Sequence, residues 1–245
     1  MVGTPSLFRT ALDALLLRES AYDSMRYSDN PAWRGFLLVA VIGLVVAVAG
    51  IVGAAWFEWT APDFDAIQET VWDGMVSGPW FDELAPSEKQ EAIDAMEFGY
   101  ELGWRIANIF IPSIRNALAG LLLTPIWMIM FWLAYGLLAH VTARILGGTG
   151  SLGVTYGATA LAAAPQLLTV AKVVPTVQMF GVGAWALACA FVALRSAHGL
   201  NTNRTFWSTV VPYVVIALLI AMFAGLGALV FSLTAGSIVD GGLGS

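Results

Sequence analysis

Five stretches of this chain run for about 20 residues or more without an Asp, Glu, Lys or Arg. They are Gly35–Phe57, Ala117–Ala139, Gly153–Ala171, Thr176–Leu194 and Val210–Ala235. A helix rising ~1.5 Å per residue needs about 20 apolar residues to cross the hydrocarbon of a bilayer, so each stretch reads as a membrane span. Trp33 precedes the first span, and Trp56 and Trp59 close it. Tryptophans at both rims form the aromatic belt of a spanning helix. "KVVP" at Lys172–Pro175 is all that separates the third and fourth spans, which predicts a tight hairpin.

Two other segments alternate at helical period. Leu7, Phe8, Ala11, Leu12, Leu15 and Leu16 share one face, with Arg9, Asp13 and Glu19 off it. This predicts an amphipathic helix, either lying in the headgroup plane or packed on the rest of the protein. Between Glu58 and Arg105 lie most of the 17 acidic residues. Phe64, Ile67, Val71 and Met75 form one stripe there, "SGP" at Ser77–Pro79 interrupts it, and Ile93, Met96, Tyr100 and Trp104 form a second. Ser87 and Gln90 have the spacing of a capping box at the start of that second helix. The segment reads as a small acidic helical cap outside the membrane.

Composition agrees with this pattern. The chain has 245 residues, 58% hydrophobic and 11% charged, with mean hydropathy +0.77. A water-facing surface cannot be covered with so few charges. The net charge of −6 is unevenly placed. Arg9, Arg18, Arg26 and Arg34 precede the first span, Arg144 follows the second, and Arg195 and Arg204 follow the fourth. The opposite side carries Lys89, Arg105, Arg115 and Lys172, two of them within or at the end of the acidic cap. The positive-inside bias then predicts a cytoplasmic N-terminus, an extracytoplasmic cap and an extracytoplasmic C-terminus, with five crossings.

The candidate chemistry is sparse. "GGTGSLG", Gly147 to Gly153, contains a GxGxxG, the phosphate fingerprint of dinucleotide-binding folds. That fingerprint needs a strand before it and an acid about 20 residues on. Here a membrane helix precedes it and "PQLLTVAK" follows. It reads as a turn instead, with Gly147 or Gly148 ending one helix in left-handed conformation and Ser151 starting the next. No nucleotide, nucleic acid, metal or other cofactor is called for. The acidic helices lack the glycine and spacing of a calcium loop, and Cys189, the one cysteine, excludes a disulfide framework. "NRT" at Asn203 matches a glycosylation acceptor but falls on the predicted cytoplasmic side.

His140 and Arg144, four apart, lie at the inner end of the second span; Arg195 and His198 lie at the inner end of the fourth, with Arg204 nearby. These five could surround an inner-face site for a lipid headgroup or a partner, or serve as separate interfacial anchors. No HExxH is present, and His140, His198 and Ser151 have no recognised catalytic spacing. No span contains an acid, which an ion-coupled transporter needs. The polar residues within the spans include Thr124, Tyr135, Tyr156, Gln166, Gln178, Ser208 and Thr209, suited to hydrogen bonds between helices.

At His140–Leu168 the chain resembles the Yip family, the Ypt/Rab-interacting membrane proteins, and especially its prokaryotic members. The matching residues are His140, Ala143, Arg144, Gly147, Gly148, Gly150, Ser151, Tyr156 and Pro165, continued by Trp185 and "ALRSAHGLNTNR". The likeness covers roughly Pro31 to Ala235, interrupted by the acidic segment. It implies five spans and a cytosolic N-terminus in a prokaryotic plasma (inner) membrane. It also implies a non-enzymatic role through contacts with other membrane proteins, itself or lipids. The Asp-Leu-Tyr-Gly-Pro motif and long cytosolic arm of the eukaryotic, Rab-binding members are absent. The expectation is an all-α polytopic membrane protein. Residues 1–34 form a cytoplasmic amphipathic N-terminal helix, 35–57 a transmembrane helix and 58–116 the acidic extracytoplasmic insertion. Residues 117–235 form a four-helix membrane bundle and 236–245 an extracytoplasmic tail. The expected role is a scaffold or adaptor; the alternatives are a passive transporter or channel, and a headgroup-binding protein or membrane enzyme using the His/Arg cluster.

Overall fold

A computed structural model describes residues 6–174 and 179–242, with side chains for all of these except 109, 110, 172 and 229–242. Among the described residues every regular element is a helix. In chain order they are α1 (Leu7–Leu15), α2 (Glu19–Arg26), α3 (Pro31–Thr60), α4 (Phe64–Val76), α5 (Pro79–Asp82), α6 (Pro86–Phe110), α7 (Ile114–Ile145) and α8 (Leu152–Ala160). A 3-10 segment (Leu161–Val173) continues α8, and α9 (Val182–His198) and α10 (Thr202–Gly242) complete the chain.

Among the described residues four helical stretches are long and apolar enough to cross a membrane: Pro31–Thr60, Ile114–Ile145, Leu152–Ala171 and Thr202–Ala228. The expected fourth span differs. Its helix begins at Val182, because Gly181 adopts a left-handed backbone (φ 80°) ahead of it. The resulting 17 residues fall short of the ~20 that fill the hydrocarbon. The helices flanking the expected tight hairpin end at Val173 and resume at Val182. Thr176 and Gln178 lie outside the described residues, as do 243–245 of the tail. The last helix starts earlier than the apolar pattern, at Thr202.

The helix starts follow their side chains. Asn30 accepts from the Trp33 N–H (3.1 Å) ahead of Pro31. Ser113 accepts from Asn116 N–H (3.3 Å), and the Glu58 carboxylate at the end of α3 accepts from Ile114 N–H (2.6 Å). Two amides of α7's first turn are thus satisfied.

Packing depends on small residues meeting bulky ones, because lipid supplies no hydrophobic drive between helices. The α3–α7 contact is the most extensive. At its centre Gly43 faces Pro125, whose Cα would stand 2.7 Å from any Cβ placed on Gly43. Gly136 likewise faces the Tyr156 ring, where a Cβ would meet ring carbons at 2.6 Å. The Trp132 indole donates to Tyr156 O (3.1 Å), and the Tyr156 hydroxyl donates to Leu133 O (3.2 Å). These bonds tie α7 to α8.

The N-terminal amphipathic segment is two helices, divided where Leu17 takes a positive φ of 55°. Its apolar face is split. Thr10, Ala11 and Ala14 are buried, with Leu7 and Leu15 packed beside them. Phe8, Leu12 and Leu16 remain exposed in a row four residues apart. The segment therefore packs on the bundle and still offers an apolar stripe outward. Its end is gripped by other helices: the Trp185 indole donates to Leu15 O (2.7 Å), while the Tyr22 hydroxyl (3.3 Å) and the Cys189 thiol (3.5 Å) both donate to Ala14 O.

The acidic region forms α4, α5 and α6. Asp63 caps α4 by accepting from Asp65 and Ala66 N–H. The α6 start differs from the Ser87/Gln90 expectation. Pro86 occupies the first turn, where its missing N–H costs nothing, and the Glu88 carboxylate accepts from Ala85 N–H (2.9 Å). Trp72 packs on Tyr100, whose hydroxyl donates to Gln68 O. The stripe residues Ile67 and Val71 are exposed.

Gly43→Leu is expected to destabilise the protein by about 1–3 kcal/mol or more through overpacking against Pro125. Gly50→Leu, on the same helix in open space, is expected to leave stability unchanged. Thermal unfolding in detergent reads the pair; equal melting temperatures would remove Gly43 from the packing account.

Candidate functional site

The five cationic and imidazole residues singled out by spacing converge only in part. α7 ends with Gly147 in left-handed conformation (φ 91°), and Ser151 starts α8 by accepting from Val154 N–H (3.4 Å). The loop between them lies against the end of α9. A Cβ on Gly148 would stand 2.7 Å from His198 Nδ1, and one on Gly150 would overlap Ala197 O. The backbone approach that a phosphate would require is taken up by α9. Gly153, the last glycine of the GxGxxG, has open space beside it.

His198 is buried at the centre of this junction. Gly150 N–H donates to its Nδ1 (3.2 Å), so the ring's proton sits on Nε2 and is donated to Thr155 Oγ1 (2.9 Å). Thr155 donates to Ser151 O (2.9 Å) and lies 3.0 Å from His140 Nδ1. A hydroxyl has one proton and two lone pairs. With the proton given to Ser151, Thr155 accepts from both imidazoles and every contact is satisfied. The two rings lie 5.5 Å apart, centroid to centroid. Burial pushes His198 down from its ordinary value near 6.5 to about 4, and the positive charge of His140, Arg144 and Arg26 pushes the same way. His198 is therefore neutral at physiological pH.

The guanidiniums divide into two kinds. Arg144 Nη1 donates to Gly148 O (3.2 Å), and Arg26 Nη1, reaching over from α2, donates to Ser196 O (2.7 Å). Asp23 accepts from the Ser196 hydroxyl beside it (3.3 Å). Arg204 is exposed, with Nη1 close beside Gly147. Arg195 is exposed and, among the described residues, its side chain has no hydrogen bond or ion pair, so it stands apart from the cluster. Spacing missed two members. Thr155 is one of many threonines in the chain, and only the fold shows it between two histidines. Arg26 is 170 residues from the carbonyl it binds.

A second feature was not anticipated. A cavity of about 460 Å3 opens between α3, α7, α8 with its 3-10 continuation, α9 and α10. Its walls are mainly apolar, with Thr124, Gln166 and Tyr213 among the lining residues.

The Yip1 domain family model matches residues 14–225. The chain belongs to the Yip1 domain family. It is a membrane protein of that family. The match begins in the last turn of α1, seventeen residues earlier than the resemblance read at Pro31, and runs through the acidic helices. The N-terminal arm from Ala14 on is thus part of the Yip1 domain, consistent with its seating against α9. No curated protein and no solved structure matches the chain.

Gly150→Ala is expected to destabilise the protein by roughly 1–3 kcal/mol, while Gly153→Ala, in open helix, is expected to be neutral or to gain up to ~1 kcal/mol. A depressed histidine value makes stability complete above about pH 6.5 and lost progressively as pH falls toward about 4, because the unfolded chain takes the proton first. Melting curves across that window are expected to decline in the native chain. In His198→Asn they are expected to be lower at neutral pH and to decline less steeply toward about pH 5, because His140, also lowered by burial and then by Arg144, remains. An equal decline in both would assign the effect to other groups.

Proposed function

We propose that the chain is a non-catalytic scaffold or adaptor of the Yip type in a prokaryotic plasma membrane, acting through contacts with other membrane proteins or lipids. In this reading it crosses the bilayer five times, α9 crossing as far as Leu194. The N-terminus (1–34) is cytoplasmic, residues 58–116 form an acidic extracytoplasmic insertion, and the C-terminal tail is extracytoplasmic. The lysine and arginine bias supports that orientation.

The observation that carries the proposal is the division of labour at the polar end. The imidazoles spend their hydrogen bonds inward, joining α7, α8 and α9. Arg144, Arg195 and Arg204 are exposed. Such an end holds helices together and presents cations outward, which suits anionic headgroups or an acidic partner surface. Its inward-facing groups are already committed, which disfavours acid–base chemistry there. The exposed Phe8, Leu12 and Leu16 row adds an apolar contact surface on the N-terminal arm.

A passive transporter or channel is the second reading. The cavity among six helical segments favours it.

Arg144→Ala with Arg204→Ala is expected to reduce retained anionic lipid several-fold, read by mass spectrometry of the purified protein. Unchanged retention would make both side chains simple anchors. Affinity capture from native membranes is expected to recover specific membrane proteins. Robust solute flux through liposomes carrying the purified chain would replace the scaffold reading with the second one. Alkaline phosphatase fused within 58–116 is expected to be active; an extracellular N-terminus would refute the orientation.

A further inference from the structure

We propose that the cavity between α3, α7, α8 with its 3-10 continuation, α9 and α10 is a binding site for an uncharged amphiphile: one long apolar chain ending in a hydroxyl, ester or amide. The inference does not depend on the scaffold reading.

Three observations carry it. The first is size and shape. At about 460 Å3 the cavity falls in the ~300–1,000 Å3 range of ligand pockets. Its α7 wall runs from Thr124 to Tyr135, a length of about 16 Å at ~1.5 Å per residue. That is an elongated site, suited to a chain.

The second is unspent hydrogen-bonding capacity. Thr124 on α7, Gln166 on the 3-10 segment and Tyr213 on α10 all line the cavity. Among the described residues none of these three side chains makes a hydrogen bond. The neighbouring Tyr135 hydroxyl, by contrast, donates to Thr209 O. A primary amide at this depth offers two donors and an acceptor, and leaving them unused in hydrocarbon is costly. Water is a poor occupant. The cavity has room for roughly fifteen waters at ~30 Å3 each, and every one would need 2–4 polar partners. A few polar groups on a mainly apolar wall give such a cluster little anchorage, so an apolar chain with one polar end fits better.

The third is charge. No lining residue is ionisable as an acid, Lys, Arg or His. An ionised headgroup would enter without a counter-ion, so the ligand's polar end is neutral. The apolar wall includes Val39, Met128 and Phe131, which suit an acyl or prenyl chain.

The test uses the full chain in phosphatidylcholine vesicles and a monoacylglycerol carrying a photoreactive diazirine on its acyl chain. Saturable labelling is expected, mapping to 124–135 and 159–166. Unlabelled monoacylglycerol is expected to compete, and the ionised fatty acid of equal length to compete poorly. Gln166→Leu is expected to raise the half-saturating concentration about five-fold, as for one lost hydrogen bond. Ala163→Phe, which fills the cavity, is expected to abolish the site. Non-saturable labelling of the native chain overturns the proposal. So does labelling confined to the bilayer-facing Leu122, Leu123 and Leu218, or an unchanged half-saturation in Gln166→Leu. Equal competition by the ionised fatty acid overturns the neutral-ligand assignment. Glycerol flux without saturable labelling would give the cavity to the transporter reading.

Discussion

A backbone carbonyl or amide that loses water must find another partner, and in hydrocarbon the penalty for failing is severe. Helices meet this demand along their length and fail at their ends. This protein closes its ends with groups borrowed from other segments. The last turn of α1 gives two carbonyls to Trp185, Tyr22 and Cys189. The last turn of α9 gives Ser196 O to Arg26 and His198 O to the Thr149 N–H. The first turn of α7 takes Glu58 from the preceding span. Elements far apart in the chain are thus joined at the points where each is least able to satisfy itself.

The junction of α7, α8 and α9 shows how this shapes a motif. His198 can reach the loop only if Gly148 and Gly150 have no side chains. Its neutrality follows, since Nδ1 must stay free to accept from Gly150 N–H. The glycine-rich run is therefore a packing device, and the exposed arginines around it are what a lipid or partner would meet. Elsewhere, small-against-large contacts such as Gly43 on Pro125 bring α3 and α7 close together. The cavity borders the same contact, with Val39 and Val46 of α3, either side of Gly43, and Thr124 to Tyr135 of α7 on its walls.

Much of the helical plan was legible in the chain because hydropathy and span length are long-range averages that one residue does not upset. Caps at Asn30, Ser113 and Ser151 are short-range chemistry. The turn at Gly147 and Ser151 could be read, because left-handed backbone and amide capping each favour particular residue types. Other features had no such signature. The start of α9 depends on the φ of Gly181, one glycine among 25. The α6 cap went to Glu88, since Pro86 moved the first turn by two residues relative to Ser87. Spacing paired Arg195 with His198, yet the helix turns their side chains to different surroundings. Thr155 and Arg26 owe their roles to partners that only the fold brings near. The 3-10 geometry of Leu161–Val173 is invisible to a periodicity search, because Ala and Leu runs suit either winding.

Cys189 has a consequence of its own. Its thiol is sealed beneath Ala14, against a segment more than 170 residues earlier in the chain. With the N-terminal arm seated, the one thiol of the chain is buried. The thiol is thus kept silent by its place within α9 and by the seated arm together. The same silence makes the chain a clean background for engineered cysteines, since each added one reports on its own position alone.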